Sequence, residues 1–394
     1  MTRRYDLDWL RIGAFGLLIL YHIGMVFVPW EFHIKTAHPL RWVEAPMLLL
    51  NAWRLSLLFL ISGVASRMML RKIEAGGSFG WSRTKRLFVP LVAGLAIWIA
   101  PQAWVDLRVN HAYPHGFLYF WSHDNWYFDD RLGIDTPTWN QLWFVAYLWV
   151  YSLLLALLAL APAAWRERAQ TAFDALFAGW RLIVLPVAVY AVARIALADR
   201  WPENHGLVAD WYAHSIYAFA FFFGVGLGGT RTLWPLIARV WMPCAVAALA
   251  AWAVVAAVNL SLAEDAVLPP LQLAALRIVR AAQAWGAILG LLGFAQAFLN
   301  HDHPWRTTLN EGVFPAYIAH QTIILVVMYW LLPEGLPALA EFAILVAATV
   351  AGSVLFYLVG REIPGLRLLI GLRGLVRPRA RAASVSAPPR PHTP

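Results

Sequence analysis

Apolar runs recur from one end of the chain to the other, at 8–30, 46–70, 86–105, 140–162, 181–199, 211–229, 239–260, 272–299, 311–332 and 335–360, separated by segments rich in Arg, His, Asp, Pro and Gly. Runs of about 20 residues are what an α-helix needs to cross a hydrocarbon core of about 30 Å. The pattern therefore predicts an all-α, polytopic transmembrane helix bundle of about ten spans. The first run is too long for the apolar part of a signal peptide, carries His22, and continues into VPWEFH instead of a small-residue cleavage site, so it is expected to stay attached. One membrane domain is expected over 1–376. Residues 377–394 mix Pro, Ser, Ala and Arg without apolar periodicity, which predicts a disordered basic tail lying on anionic lipid, with no catalytic role.

Composition sharpens the class: 61% of residues are hydrophobic, 13% are charged and the mean hydropathy is +0.60, values foreign to a soluble domain. A net charge of +9 would suit nucleic acid were it not for its distribution. With alternating loops, one face collects Arg3, Arg4, Arg11, Arg67, Arg71, Lys72, Arg83, Lys85, Arg86, Arg166, Arg168, Arg181, Arg231, Arg239, Arg306 and the arginines after 360. The other face holds only Lys35, Arg41, Arg108, Arg131 and Arg200. This is the asymmetry of membrane sidedness, and it puts both termini in the cytoplasm. The single cysteine, Cys244, excludes an internal disulfide and reads as a small buried hydrophobe.

Ionisable residues inside the runs are the candidate chemistry, because such groups face a bundle interior or a wet cavity. Arg11 and His22 are eleven residues apart, so they share a helix face with a rise of about 16 Å between them. His22 then lies near the middle of the run; a structural histidine bonded to a neighbouring helix is the alternative. Asp8 is placed to orient Arg11 through an ion pair one turn away. Arg54 in the second run needs a partner, and Ser62 and Gly63 nearby are small enough for close helix contact. Arg83, Lys85 and Arg86 stand at the mouth of the third run, either as ordinary positive-inside charge or as a site for phosphates. Asn310 and Glu311 open the ninth run, and His320 should reach the depth of His22. Arg277 and Arg280 enter the eighth run from the outer face, as counter-charges or as snorkelling side chains.

The long outer connection at 106–139 is crowded with aromatics and carboxylates. Sugar rings stack on Trp and Tyr while carboxylates and amides bond hydroxyls, so Tyr119, Trp121, Asp124, Asn125, Trp126, Asp129 and Asp130 are candidate acceptor contacts, with an interfacial aromatic belt as the alternative. Glu31 and His33, just beyond the first run, join this substrate-binding set. The spacing of His111, His115, His123 and Asp124 matches no metal site, and no metal is expected.

Five stretches, in order, carry a resemblance: DWLRIGAFGLLILYH, with ten residues between Arg and His; NAWRLSLLFLISG; RTKRLFVPL; QLWFVAYL; and LNEGVFPAYIAHQTIIL. Together they resemble the acyltransferase-3 family of membrane O-acyltransferases, particularly its branch that succinylates osmoregulated periplasmic glucans. The resemblance implies transfer of an acyl group, succinyl favoured, from cytoplasmic acyl-CoA to a hydroxyl of a periplasmic carbohydrate in a bacterial inner membrane. Succinyl-CoA or acetyl-CoA would be a co-substrate, with no permanently bound cofactor; the partners would be lipid, acyl-CoA and glucan, without nucleic acid. His22 matches the family's essential histidine and Arg11 its paired arginine, His22 acting as base or as transient acyl carrier. Arg83, Lys85, Arg86 and Arg11 would hold CoA phosphates. Arg54 would steady the thioester oxyanion, and His320 would share the catalytic site with Asn310, Glu311 and Ser62 in support. O-acetylation of another cell-surface polysaccharide or small molecule is the nearest alternative, and transport of an anionic solute is the alternative of a different class.

Overall fold

A computed structural model describes residues 4–73, 76–263 and 266–372, so the tail expected at 377–394 lies outside the described residues. The chain is all-helical. Its helices are α1 (Tyr5–Met25), α2 (Glu44–Asn51), α3 (Arg54–Ile73), α4 (Gly76–Ala93), α5 (Ala100–Asn110), α6 (Phe117–Ser122), α7 (Trp143–Leu158), α8 (Ala163–Leu176), α9 (Arg181–Ala196), α10 (Trp211–Leu227), α11 (Leu233–Ser261), α12 (Pro270–Phe298), α13 (Pro304–Leu331), α14 (Ala338–Glu362) and α15 (Pro364–Leu369). Helices are the form in which a chain satisfies its backbone groups without water, and every apolar run falls on one.

Among the described residues, seven helical stretches are long and apolar enough to cross a membrane by themselves, and nine if two bent pairs each count once, against the ten expected. The first pair, Gly77–Trp98 with Ala100–Asn110, bends by 41° just after a π-helical turn at Gly94–Trp98. In the second, α8 meets α9 at 95° through a turn in which Gly179 takes φ +61°. The α8 side chains Arg166, Glu167 and Arg168 are exposed, as on a surface helix. The remaining run is α10, a 17-residue helix too short for the same test.

α1 and α13 lie side by side in parallel register. Arg306 bonds Asp8 at 2.7 Å, Phe15 meets Tyr317 edge-on at 5.5 Å, and further along His22 meets His320. Near its start α1 is tied to the chain that follows α12, through Trp9 Nε1 to the His301 carbonyl at 3.1 Å. Arg71 at the end of α3 reaches the Gly229 carbonyl after α10 at 3.4 Å. The segments that charge alone assigns to one face thus come together at a common basic end.

α1 stops at Met25, earlier than its run, so His22 sits in its last turn and not near its middle. Pro29 has no N–H to extend the helix, and Lys35 bonds the carbonyls of Met25 and Val28. The chain then folds back with Thr36 N on Val26 O at 3.1 Å, and Val26, Phe27, Val28 and Ile34 are buried, which keeps the end of α1 inside the bundle. Gly63 of α3 and Gly224 of α10 allow two backbones to touch: a Cβ on either would lie 2.0 Å from a carbonyl oxygen of the other helix. Gly63 is therefore the small residue of that contact, whereas the adjacent Ser62 is half-buried and has no hydrogen-bond partner among the described residues.

Candidate active site

The α1–α13 register brings four of the singled-out residues into two pairs. Arg11 donates through Nη2 to Asn310 Oδ1. Two to three turns further on, His22 Nδ1 lies 2.9 Å from His320 Nε2, whose own Nδ1 lies 2.7 Å from the Tyr317 carbonyl. These contacts assign the protons. A carbonyl only accepts, so His320 Nδ1 carries hydrogen, and on a neutral ring its Nε2 is then a bare acceptor. His22 Nδ1 must be the donor across the pair, which leaves a lone pair on His22 Nε2. His320 is fully buried while His22 keeps partial exposure. The strip therefore presents one basic nitrogen, with its tautomer set by a buried neighbour. Asp8 is engaged by Arg306, so its ion pair is with α13 instead of Arg11. Glu311, about 100° around α13 from Asn310, turns the other way and meets Tyr357 Oη at 3.3 Å and Arg367 at 3.4 Å.

A polar belt fixes α13 at the level of His320. Gln141 Nε2 donates to the Ile318 carbonyl at 3.1 Å, and Tyr317 donates back to the Gln141 carbonyl. Gln102 Nε2 donates to Thr322 Oγ1 at 2.7 Å, and Thr322 donates to the carbonyl of Trp98, inside the π-helical turn, at 2.5 Å. Sequence reasoning passed over Gln102 and Thr322. An amide at Gln141, opening an otherwise apolar run, was the available signal.

Arg54 begins α3 directly after a break at 52–53. Its Nη1 donates to Asn51 Oδ1 at 3.0 Å, its guanidinium lies 3.4 Å from the centre of the Tyr21 ring, and its Nε is buried without a partner. Arg54 lies within electrostatic reach of His22. Arg54 also acts on Glu203, in a loop at 197–210 that sequence reasoning missed although WPENHG sets charge between Pro and Gly. Burial works against the Glu203 carboxylate, but bonds with His205 and Tyr217 and the charge of Arg54 prevail, and its pKa falls below the usual glutamate value. His205 holds φ +59° and stacks on Trp143 at 4.3 Å. Asp210, capping α10, accepts from His205 N at 2.9 Å and from Tyr147 Oη at 2.8 Å, which pins the loop to α7 and α10.

At the basic end, Arg83 bonds Ser152 Oγ at 3.2 Å and is within electrostatic reach of Arg11 and Arg86. Lys85 leaves this group: it is exposed and lies over the Trp81 ring at 4.9 Å.

The outer segment folds on itself. Asp124 is buried and accepts from Tyr113 Oη and, at 2.7 Å, from Tyr127 Oη; both phenols' pKa values are raised, that of Tyr113 by burial first and then by this bond, that of Tyr127 by the bond first. The Asp124 oxygens thus hold the loop together. Asp129 is paired with Arg131, which lowers its pKa. Trp121 donates to the Ala96 carbonyl and Trp126 to the Trp121 carbonyl, both at 2.7 Å, with both rings partly exposed. Among the described residues none of these four bonds or stacks with the His22 strip. His33 pairs with Asp106 of α5, and Glu31 is exposed. Among the described residues no three His, Cys, Asp or Glu side chains are grouped to hold a metal ion.

The fold and site together define a helical membrane bundle that holds a histidine pair between two of its helices and gathers basic residues at one end. Residues 4–358 match the family model described as an acyltransferase domain, and the chain belongs to this acyltransferase-3 family, which makes it a multi-pass membrane acyltransferase. It is similar to the glucans biosynthesis protein C of Escherichia coli strain SMS-3-5, at 26% identity over 156 residues, 39% of this chain and 38% of that protein. The protein of the same name from Salmonella typhi is 27% identical over 101 residues, 25% of this chain and 26% of its own length. The matches thus span well under half of these relatives. No solved structure matches the chain.

Proposed function

We propose that this protein transfers an acyl group, succinyl favoured, from acyl-CoA at the basic end to a hydroxyl of a carbohydrate on the opposite side, a periplasmic glucan in a bacterial inner membrane. The observation that carries this reading is the contact of His22 Nδ1 with His320 Nε2, which leaves His22 Nε2 free to accept a proton. A sugar hydroxyl is a weak nucleophile, and His22 Nε2 offers it a base that needs no prior deprotonation. The hydroxyl oxygen attacks the thioester carbonyl as its proton passes to Nε2. The C–S bond then breaks, and the proton leaves with the CoA thiolate. Arg54, which lies over the ring of Tyr21 and within electrostatic reach of His22, would steady the negative charge that develops on the carbonyl oxygen. Arg11 and Arg83, held by Asn310 and Ser152, form a basic mouth for CoA phosphates. The family match and the partial similarity to glucans biosynthesis protein C support the reaction and the choice of glucan.

The test is thiol release from succinyl-CoA or acetyl-CoA by purified protein, with and without glucan. Glucan-dependent release that His22→Gln lowers by about 10²- to 10⁴-fold is expected of a lost general base. Release that survives the substitution would remove His22 from the mechanism.

A further inference from the structure

α9 and α12 pack against each other between two fixed points, Trp285 Nε1 on the Leu182 carbonyl at 2.9 Å and the Arg277–Asp199 ion pair. Between these points stand two arginines to which the proposed chemistry gives no task. Arg194, in the last turn of α9, lies 6.0 Å from the centre of the Tyr212 ring. Arg280 is within electrostatic reach of Arg194, Tyr212 and Tyr21. The Nε atoms of both are buried without a hydrogen bond. Among the described residues neither arginine has an ion-pair partner: Asp199 is taken by Arg277, and Glu203 by Tyr217 and His205. Arg54, Arg194, Arg277 and Arg280 thus lie in the part of the bundle that also holds Asp199 and Glu203.

Two like charges inside a helix bundle, each with an unused donor, are costly unless an anion joins them. Guanidinium groups match a carboxylate in shape as well as charge. Tyr21 gives the direction, because it lies under Arg54, adjoins His22 in sequence and is felt by Arg280. A short chain anchored at the reaction centre would run past Tyr21 toward the arginine pair. We propose that Arg194 and Arg280 bind a carboxylate, the free end of a dicarboxylic acyl group whose thioester lies at His22 and Arg54. This rests on the acyl-transfer reading above and names the residues that select the acyl group.

The experiment compares the parent protein with Arg194→Gln, Arg280→Gln and Arg280→Lys, each given succinyl-CoA and acetyl-CoA with an uncharged glucan. The readout is the ratio of succinyl to acetyl transfer, which is internal to each preparation and so survives a partly folded sample. Each Gln variant is expected to lower that ratio roughly tenfold or more, with Arg280→Lys in between. An unchanged ratio overturns the proposal. Loss confined to a phosphate-bearing glucan, with the donor ratio intact, also overturns it and assigns the arginines to the acceptor. If the parent transfers from neither donor, the acyl-transfer reading fails separately, and sodium succinate decides the site. Thermal stabilisation by succinate but not acetate, absent in Arg280→Gln, supports a carboxylate site; equal or no stabilisation overturns it.

Discussion

Replacing His320 tests the proton assignment at its source. In His320→Leu the 2.9 Å contact to His22 Nδ1 disappears, leaving that N–H without an acceptor in a closed part of the bundle and freeing His22 to take the other tautomer. The unmade hydrogen bond costs about 1–3 kcal/mol, which, if it falls on the transition state, corresponds to roughly a fivefold to 150-fold loss of kcat. His320→Gln returns a carbonyl oxygen to the same region and should recover much of the loss. The assay is steady-state transfer from acyl-CoA, with the KM for acyl-CoA as the internal control, since His320 lies far from the basic mouth. A fall in kcat for Leu, recovery for Gln and a steady KM are expected. Equal kcat in all three proteins, or equal losses in Leu and Gln, would refute the idea that an acceptor at 320 sets the state of His22.

At Gly63, substitution by Val would force apart the α3 and α10 backbones, costing about 1–3 kcal/mol or more and lowering the melting temperature in detergent; an unchanged melt would show that the contact yields. Asp124→Asn puts an amide hydrogen toward one of two phenol donors, so the outer segment should loosen by about 1–3 kcal/mol with transfer at saturating acceptor retained. A more than tenfold loss of transfer at an unchanged melting temperature would instead make Asp124 an acceptor contact. The Glu203 carboxylate has a lowered pKa in the folded protein, so it adds stability at pH values above the usual glutamate value of about 4.5, and that addition is lost as pH falls through its folded pKa. The gap in melting temperature between the parent and Glu203→Gln should therefore close as pH falls below about 4.5; a gap independent of pH would contradict the assignment.

Much of the architecture was legible because bilayer thickness dictates run length, and each run became a helix. What apolarity does not encode is how a run is broken. The interruption at 52–53, the right-angle turn between α8 and α9 and the early end of α1 all depend on neighbouring segments. Within the site, the shared face of Arg11 and His22 followed from helical period alone. The depth of His320 followed from its distance along its run, but that Asn310 and His320 both face α1 did not, because they are ten residues apart with Pro315 between them, a spacing that no regular helix would place on one face. Glu311 went astray for a related reason: adjacent helical positions address different neighbours. Arg54 was found by its charge, whereas the loop around Glu203 came near it only through the tertiary fold.

The parallel pairing of α1 with α13 also bears on how the protein is made. His22 and His320 are 298 residues apart, and Asp8 and Arg306 are separated by the same interval. A nascent chain that has inserted α1 holds Asp8, Arg11 and His22 in the membrane without partners until α13 is synthesised. Truncated products that stop before α13 keep the His22 imidazole but lack the neighbour that sets its proton. Competence to transfer thus arrives late in translation, when nearly the whole bundle is in place.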